Sequence, residues 1–235
     1  SIYANATDNW NNTSACSSTS FNYTTPSLFA FDTSLGGDGG VSRTVEQYNR
    51  SYKILEQSDG NLLLFGVNQS SISILRFLSD GTVDTSFDTD GMQTLSVCTQ
   101  RNVSEDALLS GTFAGRVGGL VQSDGKIIFI GACYNYGNNP TTDTVVMRLK
   151  SDGSYDTSFN GTGYARLDLS GASREDFGAA IGVTADNKYI IGGTFKNSNG
   201  NYDMYVTRLN SNGSLDSSYA NGSTSVIRMD FGEGN

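Results

Sequence analysis

Histidine is absent from this sequence. That removes His-based nucleophile triads, imidazole metal ligands and the one side chain that titrates near neutrality. Carboxylate chemistry survives the loss. Charge is scarce as well: only 17% of residues are Asp, Glu, Lys or Arg, with a formal balance of −9. Without a Lys/Arg cluster there is no basic face to track a phosphate backbone, so no nucleic-acid partner is expected. No apolar run approaches the ~18 residues of a membrane-spanning helix. There are two prolines, one tryptophan (Trp10) and three cysteines. Cys16, Cys98 and Cys133 lack metal-ligand spacing, and an odd number allows one disulfide plus a free thiol, or none. Asp88, Asp90 and Gly91 space oxygen donors two apart but lack the full ligand spacing of a calcium loop, so they read as a turn. Neither a metal nor a cofactor is called for.

What fills the chain instead is glycine, 28 of 235 residues, with abundant Asn, Ser and Thr. This is a composition of many turns and neutral polar surface. It points to an extracellular or cell-surface protein. The start at Ser1, with no signal-like segment, reads as a cleaved or trimmed product.

The polar residues recur in order. Residues 149–163 read LKSDGSYDTSFNGTG, 77–91 read FLSDGTVDTSFDTDG, and 209–222 read LNSNGSLDSSYANG. A partial copy, FDTSLGGDGG, occupies 31–40. Between them lies a second recurring block: QSDGNLLLFG at 57–66, QSDGKIIFIG at 122–131 and TADNKYIIGG at 184–193. Asp84, Asp156 and Asp216 lie 72 and 60 residues apart, and Asp59, Asp124 and Asp186 lie 65 and 62 apart. A period of this size filled with strand signals implies one sheet per repeat.

Strands are expected at 39–46, 52–57, 61–66 and 71–78 in the first repeat. In the second they are expected at 92–98, 118–122, 126–133 and 144–150, and in the third at 164–169, 178–184, 188–194 and 204–209. A further strand at 225–231 would open a fourth copy. Continuous apolar runs such as NLLLFG suit strands buried on both faces. Asp-Gly pairs mark hairpin turns. The expected fold is all-β, a propeller of few blades, each a four-stranded antiparallel sheet. Four blades are expected, one of them composite, with 225–231 pairing against 20–31. An open solenoid, or closure through another subunit, is the rival. The chain 1–235 thus reads as one repeat-built domain. Residues 1–31 form an N-terminal cover and closing strands, 32–81, 82–153 and 154–213 are full repeats, and 214–235 is a partial one.

The paired motifs R-L-x-x-D-G-S-h-D-T-S-F and Q-x-D-G-K-h-h-h-x-G resemble a bacterial propeller repeat of about 55–60 residues. Arg148-Leu149, Asp152-Gly153, Asp156-Thr157-Ser158-Phe159 and Asp124-Gly125-Lys126 carry the resemblance. Departures are Leu35 and Tyr219 for the motif phenylalanine, Asn187 for a glycine and Asn61 for the lysine. The resemblance implies large secreted or surface proteins and a binding role, with no defined reaction, so no catalytic residue is carried over.

Arg76, Arg148 and Arg208 each precede Asp84, Asp156 or Asp216 by eight residues. A repeated Arg–Asp register reads as a structural pair within or between blades, with Ser86, Ser158 and Ser218 helping the carboxylate cap a turn. Phe87, Phe159 and Tyr219 read as apolar anchors between sheets. Cys98 and Cys133, assigned to the first and third strands of one blade, are candidates for a disulfide; pairing of either with Cys16 is the alternative.

Blade geometry sends the repeated turns to one end and the unequal loops to the other. Candidate ligand-binding residues on those loops are Phe113, Tyr134, Tyr136, Asn138, Asn139, Arg174, Asn197, Asn201 and Tyr202. Tyrosine supplies a rigid flat contact and asparagine a paired donor and acceptor, a set suited to glycan or polar cell-envelope ligands. The expected function is a non-catalytic surface recognition module of adhesin type. A structural or oligomerising module of a surface fibre, trimers included, is the alternative. Glycoside cleavage by Glu105 with Asp176, or Asp106 with Glu175, is the weaker one.

Overall fold

In a computed structural model of the chain, residues 49–68, 71–95, 118–135, 141–169, 174–220 and 225–229 are described. They form twelve strands, β1 (Asn49–Glu56), β2 (Leu62–Asn68), β3 (Ser71–Phe77), β4 (Met92–Leu95), β5 (Gly118–Val121), β6 (Ile127–Asn135), β7 (Thr141–Leu149), β8 (Tyr164–Leu167), β9 (Asp176–Val183), β10 (Tyr189–Lys196), β11 (Tyr202–Leu209) and β12 (Val226–Met229). These pair as three four-stranded antiparallel meanders, β1–β4, β5–β8 and β9–β12. The fold is therefore all-β, with sheets consistent with propeller-like blades.

Local chemistry explains the turns. Between β1 and β2, Gly60 N–H donates to Gln57 O at 2.9 Å and the Asp59 carboxylate accepts from Asn61 N–H at 3.1 Å. Asp124 serves Lys126 in the same way. In the third copy Asn187 replaces glycine, and its φ of 59° is a left-handed conformation that asparagine tolerates. The sequence departure thus keeps the turn. After β3, β7 and β11, the motif folds on itself: Asp80, Asp152 and Asn212 each accept from the backbone N–H two residues on.

Two expectations need correction. The strand after each D-T-S-F motif was assigned as the first strand of the next sheet. Instead Met92–Leu95 pairs with β3, Tyr164–Leu167 with β7 and Val226–Met229 with β11. The motif is a connection inside a sheet. It folds back through the bridges Phe77↔Val83, Leu149↔Tyr155 and Leu209↔Leu215, which return the chain to the same sheet. Consequently β12 completes the third sheet rather than opening a fourth. The second correction concerns cysteine. β4 and β6 belong to different sheets, so the shared-sheet argument for Cys98–Cys133 falls. Cys16, Cys98, the strand expected at 39–46 and the proposed cover at 1–31 lie outside the described residues.

The middle sheet is buried on both faces. Ile127 and Phe129 join Leu63, Phe65, Ile74 and Phe87 in one core. Ile128 and Ile130 join Phe159, Tyr189, Ile191 and Leu209 in the other. All four β6 residues are fully buried, and each such side chain contributes about 1.5–3 kcal/mol. Phe65 and Phe129 stack at 5.5 Å across the first contact. Small residues let β5 and β9 approach: a Cβ on Gly118 would lie 3.2 Å from Ala179 O.

Candidate functional site

The two ends of the sheets differ in chemistry. At one end lie the β1–β2 type turns and the motif loops. Arg76 Nε donates to Asp84 at 2.7 Å, Arg148 Nε to Asp156 at 2.8 Å and Arg208 Nε to Asp216 at 2.7 Å. Each carboxylate also accepts from the N–H and hydroxyl of Ser86, Ser158 or Ser218. The guanidiniums of Arg76 and Arg148 reach on to the next sheet, where Nη1 donates to Ser151 O at 2.5 Å and Ser211 O at 2.6 Å. The pair is intrablade and interblade at once. Burial pushes Asp84 and Asp156 up, but the serine bonds and the guanidinium outweigh it and hold both below the usual carboxylate range. Asp216 is also held low, first by Lys188 and then by Ser218. All three carboxylates are thus engaged in structure. Asp90, weighed as part of a calcium loop, accepts from Met92 N–H at 2.9 Å in an ordinary Asx turn.

The other end carries the unequal loops. Of the predicted ligand-binding residues, Asn197, Asn201 and Tyr202 meet in the β10–β11 hairpin. Asn197 Oδ1 accepts from the N–H groups of Asn199 and Asn201, and its Nδ2 donates to Asp203 at 2.9 Å. Tyr202 is 40% exposed. Its hydroxyl donates to Glu175, its ring packs on Phe177 at 6.1 Å, and Lys196 Nζ lies 5.7 Å from its centroid. Burial and the facing Glu175 carboxylate raise the Tyr202 phenol well above its ordinary value, so it stays a neutral donor. Arg174, exposed, is adjacent in sequence to Glu175. Tyr134 sits on β6 opposite Thr142, in the middle sheet. Phe113, Tyr136, Asn138 and Asn139 lie outside the described residues, as do Glu105 and Asp106.

One convergence escaped sequence reasoning. Asp143 at the start of β7, Asp168 just past β8 and Asp176 at the start of β9 bring carboxylate oxygens within 4.8 Å of one another. Hard divalent cations take such oxygens. Here Arg166 already bonds Asp143, and Leu169 N–H donates to Asp176 at 2.8 Å. Burial nonetheless pushes Asp143 up, more than Arg166 pulls it down. Only the pairing of β7 with β8 and the packing of β9 against β7 assemble this group, so no spacing in the sequence marks it. As for the carboxylates weighed for glycoside cleavage, Asp176 is fully buried and Glu175 is held by Tyr202 and Lys196.

No curated protein matches the chain. Residues 57–87, 122–159 and 184–219 match the family described as a domain of unknown function (DUF5122) beta-propeller. Each match opens at the residue that starts a β1–β2 type turn and closes on an anchor ring, Phe87, Phe159 or Tyr219. These three segments are similar to that family, and a β-propeller fold is indicated for the chain.

Proposed function

We propose that this chain is a non-catalytic recognition module of a surface or secreted protein, binding glycan or polar cell-envelope components at its loop end. The observation that carries the reading is the Tyr202 group. A half-exposed ring is fixed by Phe177 beneath and by Glu175 at its hydroxyl. Asn201 comes from the same hairpin and Arg174 from the segment before β9, while the Asn197 amide holds the hairpin itself. A pre-fixed aromatic plane in a loop that also carries polar side chains suits a sugar ring, whose C–H face packs on π density while its hydroxyls take hydrogen bonds. An adhesin role and an extracellular location belong to this proposal. A structural module of a surface fibre is the second reading, favoured by the half-exposed outer face of the third sheet.

A glycan-array screen of the chain with Tyr202→Ala and Arg174→Ala is the test. Binding of at least one glycan class, lost in Tyr202→Ala and kept in Tyr202→Phe, is expected. No retained glycan, or binding indifferent to Tyr202, overturns the reading.

A further inference from the structure

Both sheet-to-sheet contacts among the described residues use one three-part fit. An arginine Nη1 donates to a serine carbonyl in the next motif turn, Arg76 to Ser151 and Arg148 to Ser211. The residue after the anchor donates its N–H to the following carbonyl, Asp88 to Asp152 at 3.0 Å and Asn160 to Asn212 at 2.6 Å. The anchor ring lies on the next glycine: Phe87 atoms come within 2.9 Å of where a Cβ on Gly153 would sit, and Phe159 within 2.9 Å at Gly213.

The third sheet carries the same donor parts in Arg208, Tyr219 and Ala220, and no described sheet receives them. Among the described residues Arg208 bonds within its own repeat, to Asp216 and Ser218, with its guanidinium 4.8 Å over Tyr219. Among the described residues nothing covers the face around it. By strand register, Val206, Met204 and Ile227 are the counterparts of Val146, Thr144 and Ala165. Those three are 0%, 0% and 3% exposed, while Met204 is 47% and Ile227 41% exposed.

The acceptor parts occur once more at the opposite side of the stack. Ser79-Asp80-Gly81 repeats the turn, and Gly81 shares the positive φ of Gly153 and Gly213, at 83° against 90° and 85°. No N–H of the described residues donates to the Ser79 or Asp80 carbonyl. Leu62 and Leu64 are half-buried where their counterparts Ile127, Phe129, Tyr189 and Ile191 are fully buried.

We propose that the third sheet of one copy docks on the first sheet of a second copy, head to tail. Arg208, Tyr219 and Ala220 then engage the Ser79–Asp80–Gly81 turn of the other copy. Complementarity favours this occupant: the donors and acceptors that have no partner among the described residues are those already joined twice between described sheets. Such a contact is heterologous, so it closes into a ring or grows. It is independent of the glycan reading.

Sedimentation velocity of the full chain, from about 1 to about 200 µM, tests it. Larger species that rise with concentration are expected. Met204→Glu and, separately, Ile227→Glu are surface changes in the monomer, and each should weaken association by about tenfold or more. Leu62→Glu should do the same from the other side. A mixture of Met204→Glu with Leu62→Glu should form a capped 1:1 pair, because each retains the half that the other lost. A wild-type chain that stays monomeric throughout overturns the proposal. So does a mixture that fails to pair while both variants keep the wild-type circular dichroism and melting profile.

Discussion

The Arg–Asp–Ser latch is the residue that decides most per atom. Arg148 holds Asp156, Ser158, Tyr189 and the Ser211 carbonyl in one planar fork, a geometry that lysine cannot supply. Arg148→Ala leaves a buried carboxylate with two serine bonds and no counter-charge, so it should cost about 3–5 kcal/mol in urea unfolding. Arg208→Ala should cost much less: Asp216 keeps Lys188 at 2.8 Å, and no second sheet among the described residues depends on Arg208. Equal losses for the two would deny that reach to the next sheet matters. The same carboxylates set an acid limit. Asp84, Asp156 and Asp216 are held below their ordinary value of ~4, so on acidification the unfolded chain takes up protons first. Their stabilisation is complete above about pH 4 and is lost as pH falls through the folded-state values. Unfolding free energy measured from pH 7 to pH 2 should decline chiefly below pH 4; a decline centred near pH 6 would contradict this assignment.

At the scale of elements, the strands were legible and their grouping was not. Alternation, apolar runs and Asp-Gly turns place β1 to β12 within a few residues, because side-chain burial and turn chemistry are local. Which sheet a strand joins is a matter of hydrogen bonds across ten or more residues. D-T-S-F followed by an apolar stretch reads equally well as a link within or between sheets. The end shared by the repeated turns was legible, since adding one strand to an antiparallel meander does not change which turns share an end. The Arg–Asp register was legible for the same local reason. The Asp143–Asp168–Asp176 group was not, because three elements supply it. Burial predicts a contrast among single changes. Phe129→Ala removes a fully buried ring stacked on Phe65 and should cost about 3–5 kcal/mol. Ile54→Thr, at a position 59% exposed, should stay within about 0.5 kcal/mol. Equal melting shifts would mean that the middle sheet is not covered on both sides.

At the scale of the molecule, the three described sheets, joined through repeated latches, leave one end uniform and the other free to vary. Invariant chemistry at the turn end holds neighbours in register. The loop end carries residues that differ from copy to copy, which is where a rigid scaffold can present recognition groups. Both proposals rest on this division, the glycan reading on the loop end and the head-to-tail contact on the outermost sheets. The division in turn rests on which strands form each sheet. Backbone NOEs across the fourth strand test that most directly. The structure predicts cross-strand contacts of Ile74 with Gln93, Val146 with Ala165 and Val206 with Ile227. Contacts of Met92–Leu95 with Gly118–Val121 in their place would contradict it.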